Sequence, residues 1–158
     1  MYNVSIRLAK AKDLPDVLPM IHALAAHHHD TSTLTLDALK RDTLGDTPWI
    51  TLIVAEQSAN LLGYAALCHL TQLQFGVRGM DMHHLFVKPS ARGQGIGQKL
   101  ITAAIDHSKR QGCRYMMVGT HPENKAAQAM YLTAGFSEAP APGPRFRMKF
   151  DSTCAGRP

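Results

Sequence analysis

The chain has 158 residues, 45% hydrophobic and 18% charged, the length and balance of one globular domain with a single sizeable core. No apolar run approaches the ~20 residues of a membrane helix, and the N-terminus has no signal-peptide core, so a cytoplasmic protein without membrane contact is expected. The net charge of +5 is scattered without a block of like charges, which argues against a dedicated nucleic-acid surface and leaves room for a polyanionic small ligand. Cys68, Cys113 and Cys154 are an odd set without CxxC spacing, which argues against a disulfide framework and a zinc ribbon. Cys68 and Cys113 lie in apolar stretches and read as packed thiols.

Residues 4–8 alternate apolar and polar side chains and read as a strand. Asp13 is the expected N-cap of a helix with Leu14, Val17, Ile21, Leu24 and Ala25 on its apolar face. Pro15 suits its first turn, whereas Pro19 is expected to kink it. Thr35 or Asp37 opens a second helix ending near Gly45. Residues 49–56 and 61–70 read as strands joined around Ser58, Ala59 and Asn60. A turn over residues 74–79 leads into a strand over 80–87, ended by Pro89. Residues 95–111 form a long amphipathic helix with Ile96, Leu100, Ile101, Ala104 and Ile105 inward, and Gly112 closes it as a C′ residue. A strand over 114–119, a helix over 124–134 and a strand over 145–150 complete the order, the last preceded by the stiff run from Pro140 to Pro144. Residues 1–150 thus make one domain of α/β class with a mixed sheet, and residues 151–158 a frayed tail.

The stretch His84-Leu85-Phe86-Val87-Lys88-Pro89-Ser90-Ala91-Arg92-Gly93-Gln94-Gly95-Ile96-Gly97-Gln98 carries the chemistry. A strand, a short turn and a glycine-rich helix start place free backbone N–H groups and a positive helix end together, which is a phosphate site. Arg92 adds a fixed charge beside it. The alternative is a tight turn with close helix–strand packing. No GxxxxGK[ST] loop is present, and the spacing is GxGxG rather than the GxGxxG of dinucleotide-binding folds.

Arg92-x-x-Gly95-x-Gly97 resembles the R/Q-x-x-G-x-G/A signature of the GNAT family of N-acetyltransferases. The preceding Leu85-Phe86-Val87 and Pro89 match too, as does Asn124-x-x-Ala127-x-x-x-Tyr131-x-x-x-Gly135-Phe136 against the pattern N-x-x-A-x-x-x-Y-x-x-x-G-F. The resemblance covers residues 6–150. Within the family the chain looks most like the spermidine/spermine and thialysine N-acetyltransferases, through Ile6-Arg7, Asp13, Asp16, Ile21, Leu24-Ala25, the strand from Leu52 to Glu56 and Arg92-Gly93-x-Gly95-Ile96-Gly97.

The resemblance implies a GNAT fold, a mostly antiparallel central sheet flanked by helices, and acetyl-CoA as co-substrate. Backbone groups of Leu85 and Val87 would hold the pantetheine arm like an added strand. The amides of Gly93, Gln94, Gly95, Ile96, Gly97 and Gln98 would hold the pyrophosphate, and Asn124 the pantetheine or substrate end. A β-bulge near the strand end would receive the thioester carbonyl, with the N–H of Leu85 or Phe86 as its donor. Tyr131 is the expected acid for the leaving thiolate, two helical turns from Asn124 and on the same face, with packing in the core as the alternative.

The resembled branch has two acidic residues where this chain has His83 and His84. Successive strand residues face opposite sides, so only one is expected to enter the cleft. His83 is favoured as the base, because the family's base position falls there; a substrate-shaping role is the alternative for both. His27 and His28 fall at the family's substrate entrance. Consecutive histidines on a helix cannot converge on one ion, so no metal is expected there, and a solvated helix end is the plain reading. With carboxylates replaced by histidines, a monoamine or an amino-acid-like substrate bearing its own carboxylate suits the cleft better than a long polycation. The leading reading is acetylation of a small-molecule amine by a homodimer. Acetylation of a protein lysine or N-terminus, a non-catalytic acyl-CoA sensor and a basic nucleic-acid binder are the alternatives. A cleft closed by residues 140–144 would favour small substrates.

Overall fold

A computed structural model describes residues 3–151. Its elements are β1 (Ser5–Leu8), α1 (Leu14–His27), α2 (Leu36–Leu44), β2 (Thr51–Gln57), β3 (Asn60–Gln72), β4 (Val77–Val87), α3 (Ile96–Arg110), β5 (Tyr115–Val118) and α4 (Lys125–Thr133). The strands form one five-stranded sheet in the order β1-β2-β3-β4-β5. The pairings from β1 to β4 are antiparallel and β4–β5 is parallel, the mixed sheet expected.

Each face of the sheet carries its own core. Leu52, Val54, Tyr64, Ala66 and Phe86 pack beneath Leu14, Val17, Met20 and Ile21 of α1 and Leu39 of α2. Ile53, Ala55, Ala65, Leu67, Met80 and Met82 pack beneath Ile96, Leu100, Ile101 and Ala104 of α3. These strands are apolar on both faces because both faces are covered. Gly112 sits past α3 at φ +80, as a C′ glycine should. Thr35 Oγ1 accepts from the Ala38 N–H at 3.2 Å and caps α2.

Several expectations change. Asp13 precedes α1 but does not cap it: its carboxylate accepts from Arg7 Nη1 at 2.7 Å and Nη2 at 3.0 Å, and from the Lys10 N–H at 2.7 Å. Arg7 Nε also reaches Glu56 Oε2 at 2.8 Å, so one guanidinium ties β1, β2 and the start of α1 together. That contact holds both carboxylates below their ordinary range. Pro19 is accommodated within an uninterrupted α1. The β3–β4 turn is shorter than expected, spanning Leu73–Phe75 and Gly76.

Residues 145–150 form no strand. Phe146, Met148 and Phe150 are 96%, 79% and 85% exposed, so the apolar alternation is present without a sheet edge to pair with. Cys68 and Cys113 are free and half-buried rather than fully packed, and Cys154 lies outside the described residues. Of the expected tail, only Asp151 is described, and it is exposed.

Candidate active site

The site begins where two strands part. β4 pairs with β5 only from Gly79 to Met82, opposite Tyr115 to Val118, and then continues alone to Val87. On its other side the ladder with β3 persists, and the Lys88 N–H donates to the Leu62 carbonyl at 2.8 Å. Backbone groups alternate sides along an antiparallel strand, so Phe86 and His84 bond β3 while Leu85 and Val87 face the gap. An extended ligand could therefore join β4 through Leu85 and Val87. Of the two expected carbonyl donors, the ladder leaves the Leu85 N–H available and turns that of Phe86 away.

Beyond β4, Gly93 and Gly95 adopt φ +74 and +75, the left-handed region that favours glycine. Among the described residues no carbonyl accepts from the amides of residues 93–98, which stand at the positive end of the fifteen-residue α3. Gly97 has a different role, since a Cβ there would meet Met130 Sδ at 3.1 Å. Its absence lets α4 approach α3, and Gln98 Nε2 fastens the contact by donating to the Met130 carbonyl at 3.3 Å. The left-handed turn and the close helix packing thus fall at different glycines. Arg92 donates from Nε to the Val87 carbonyl at 3.0 Å and lies 5.9 Å from the Phe86 ring centroid, which fixes its charge at the cradle's edge. The Gln94 side chain turns back to the Ser90 carbonyl, leaving only its amide for the cradle.

Across the gap, α4 presents Asn124 and Tyr131. Asn124 Oδ1 caps the helix by accepting from the Ala127 N–H at 3.1 Å, which leaves its Nδ2 hydrogens for a ligand. Tyr131 is half-buried, packed edge-on against Phe136 at 5.9 Å, and burial raises its pKa. A phenol in that position keeps its proton and can donate it.

The histidine pair departs from strand alternation. The β3–β4 register shifts between Ala66, opposite His84, and Leu67, opposite Met82, which leaves His83 as the extra residue of a β-bulge. The bulge turns both side chains to the same cleft, where their rings stack at 4.4 Å and 12°. The expectation that only one would enter is therefore wrong. Burial, then the charges of His83 and His28, push the His84 pKa down to about 4. Its Nδ1 lies 3.0 Å from the hydroxyl of the buried Tyr64. Behind His83, Cys68 Sγ and an Asp81 carboxylate oxygen lie within 4.8 Å of a ring nitrogen and of each other. Burial raises the pKa of both groups. A metal ion would fit that spacing, although acyl transfer to an amine requires none.

The strand edge, the glycine turn, α4 and the two stacked histidines line one cleft of about 760 Å³, with Tyr64, Cys68 and Asp81 behind them. Its lining includes every residue expected from sequence except Gln94, and no Asp or Glu among the described residues. His27 and His28 sit on the exposed end of α1 and reach its rim. Residues 140–144 do not line it, so the condition that a closure there would favour small substrates is not met. Two residues were missed. Asp81 shares the face of β4 that His83 was expected to use and could have been read from strand periodicity. Tyr64 had no local signal, because its pairing with His84 depends on the register between strands.

Residues 18–136 match the Acetyltransferase (GNAT) family. The thialysine N-epsilon-acetyltransferase of Sus scrofa is 31% identical over 145 residues, covering 85% of each chain. The L-methionine sulfoximine/L-methionine sulfone acetyltransferase of Pseudomonas aeruginosa is 26% identical, covering 96% of this chain and 92% of its own. Among solved structures, an aminoglycoside N-acetyltransferase in complex with CoA superposes with a TM-score of 0.75 at 21% identity, over 94% of this chain and 97% of its own. The parted strands, the amide cradle and these likenesses agree: the chain belongs to the GNAT acetyltransferase family and is an N-acetyltransferase.

Proposed function

We propose that this enzyme transfers the acetyl group of acetyl-CoA directly to a primary amine of a small molecule. The observation that carries this reading is the continuity of one cleft from the unpaired amides of residues 93–98, past the free edge of Leu85 and Val87, to Tyr131 and the stacked histidines. A pyrophosphate suits the cradle, and an extended arm suits the strand edge. Acetyl-CoA supplies the activated thioester. The Leu85 N–H polarises its carbonyl, and Tyr131 returns a proton to the departing sulfur. His83 removes the proton from the attacking ammonium, with Asp81 behind it to orient the ring and stabilise its charge. His84, with its pKa lowered to about 4, is a poor base at neutral pH.

The test is release of free CoA from acetyl-CoA against a panel of amino acids, thialysine, polyamines and aminoglycosides. Amine-dependent release with a kinetic pattern requiring both substrates bound together supports direct transfer. Tight acetyl-CoA binding without turnover on any amine would leave a sensor or a protein acetyltransferase.

The proposal extends to a homodimer. Residues 145–150 have the alternation of a strand but no partner, and β5 is an edge strand with one side unpaired. Donor and acceptor on one chain are self-complementary across a two-fold axis, and the Pro-rich run 140–144 holds the donor away from its own sheet. Light scattering should give twice the monomer mass, and Phe146→Asp with Phe150→Asp should return it to monomer; a monomeric parent chain would end this reading.

A further inference from the structure

His84 is held in a way that a neighbouring base does not explain. Tyr64, opposite Phe86 in the β3–β4 ladder, is fully buried, and its hydroxyl finds its hydrogen-bond partner in His84 Nδ1 at 3.0 Å. Burial raises the phenol's pKa, so the hydroxyl keeps its proton. A buried hydroxyl that lacks an acceptor is costly, which directs the hydrogen at Nδ1 and requires that nitrogen to be bare. A neutral imidazole accepting at Nδ1 carries its own hydrogen on Nε2. Among the described residues no protein group accepts from Nε2, and the ring lines the cleft.

We propose that the Tyr64–His84 pair is a carboxylate receptor: Nε2–H of His84, set as a donor by Tyr64, binds the carboxylate of an acceptor that carries both an amine and an acid group. Two observations besides the tautomer favour that class. The cleft is lined by His27, His28, His83, His84 and Arg92 without a single carboxylate among the described residues, so a polyamine would find no counter-charge. His83 stacks on His84 at 4.4 Å, which places the base and the donor side by side for the two ends of one small molecule. A site built to hydrogen-bond a substrate group discriminates strongly against the analogue that lacks it. The proposal rests on the transferase reading above; in it Tyr64 is a positioning residue and His84 a binding residue.

The experiment compares amino acids with their decarboxylated amines as acceptors for the parent enzyme, His84→Leu, His84→Gln and Tyr64→Phe. The parent should prefer the acid by roughly 10-fold or more in kcat/KM. His84→Leu should abolish the preference chiefly through KM, His84→Gln should restore most of it by returning an N–H near the Nε2 position, and Tyr64→Phe should weaken it severalfold. Nitrogen NMR of the histidine rings reads the tautomer without activity: the proton should reside on Nε2, move partly to Nδ1 in Tyr64→Phe, and shift when an amino acid is titrated in. Equal use of acid and decarboxylated amine, or a proton on Nδ1 in the parent, overturns the receptor. Absence of turnover on every amine would instead defeat the transferase reading, while the titration would still decide whether His84 binds a carboxylate.

Discussion

From Ser5 to Ser108 the chain supplies every buried residue described, whereas residues 109–151 supply none. The proposed catalytic machinery straddles that divide. β4 and α3, with the histidines and the amide cradle, rest on two packed cores, while α4, with Asn124 and Tyr131, has no buried residue. Fixing a residue costs about 1–2 kcal/mol, and burial is the main return that offsets it. The lesson is that Tyr131, the proposed proton acid, stands on the less anchored wall. A bound co-substrate spanning the cradle and α4, together with a second copy over residues 145–150, would provide the missing contacts.

A pair of truncations should separate the two regions. Leu100→Ala, in the fully buried face of α3, should lower unfolding stability by about 3 kcal/mol. Leu132→Ala, 60% exposed on α4, should change it by less than about 0.5 kcal/mol in urea melts. Arg7→Met should cost about 2 kcal/mol, less than a fully buried pair because the guanidinium is 20% exposed, by stranding the Asp13 carboxylate. Because the Asp13 and Glu56 pKa values are lowered in the folded state, the stability due to this clamp is complete above the ordinary carboxylate range and is lost as pH falls through the lowered values. The parent protein should therefore lose more stability in acid than Arg7→Met does.

Hydrogen exchange sharpens the same contrast. Amides of α4 should exchange early in the free protein and slow by about tenfold on addition of CoA, while those in the middle of α3 stay protected throughout. A second pH effect concerns His84. Its pKa is about 4 folded against 6.5 free, so its contribution to stability is complete above about pH 6.5 and is lost as pH falls toward 4. Thermal melts of His84→Gln should decline less than the parent across that window.

Local signals carried much of this architecture. The glycine turn was readable because phosphate binding at a helix start needs only consecutive residues, and the same holds for Asn124 and Tyr131 on one helical face. Non-local features escaped. The bulge that brings His83 and His84 together arises from a register shift opposite Ala66 and Leu67, and strand periodicity alone argued the reverse. Tyr64 became part of the site only through that register. Asp13 looked like a cap because nothing nearby in sequence shows that Arg7 reaches it from β1. Residues 145–150 have true strand alternation, but alternation does not say which sheet, or which chain, provides the edge.

The proposed transfer from acetyl-CoA to an amine, with His83 as base and Tyr131 as acid, is decided by kcat and CoA affinity measured together in His83→Gln and Tyr131→Phe. On the preferred amine, both variants should lose roughly 100-fold or more in kcat while CoA dissociation constants stay within about twofold. Unchanged kcat in either variant would contradict the role given to that residue, and unchanged kcat in both would overturn the mechanism.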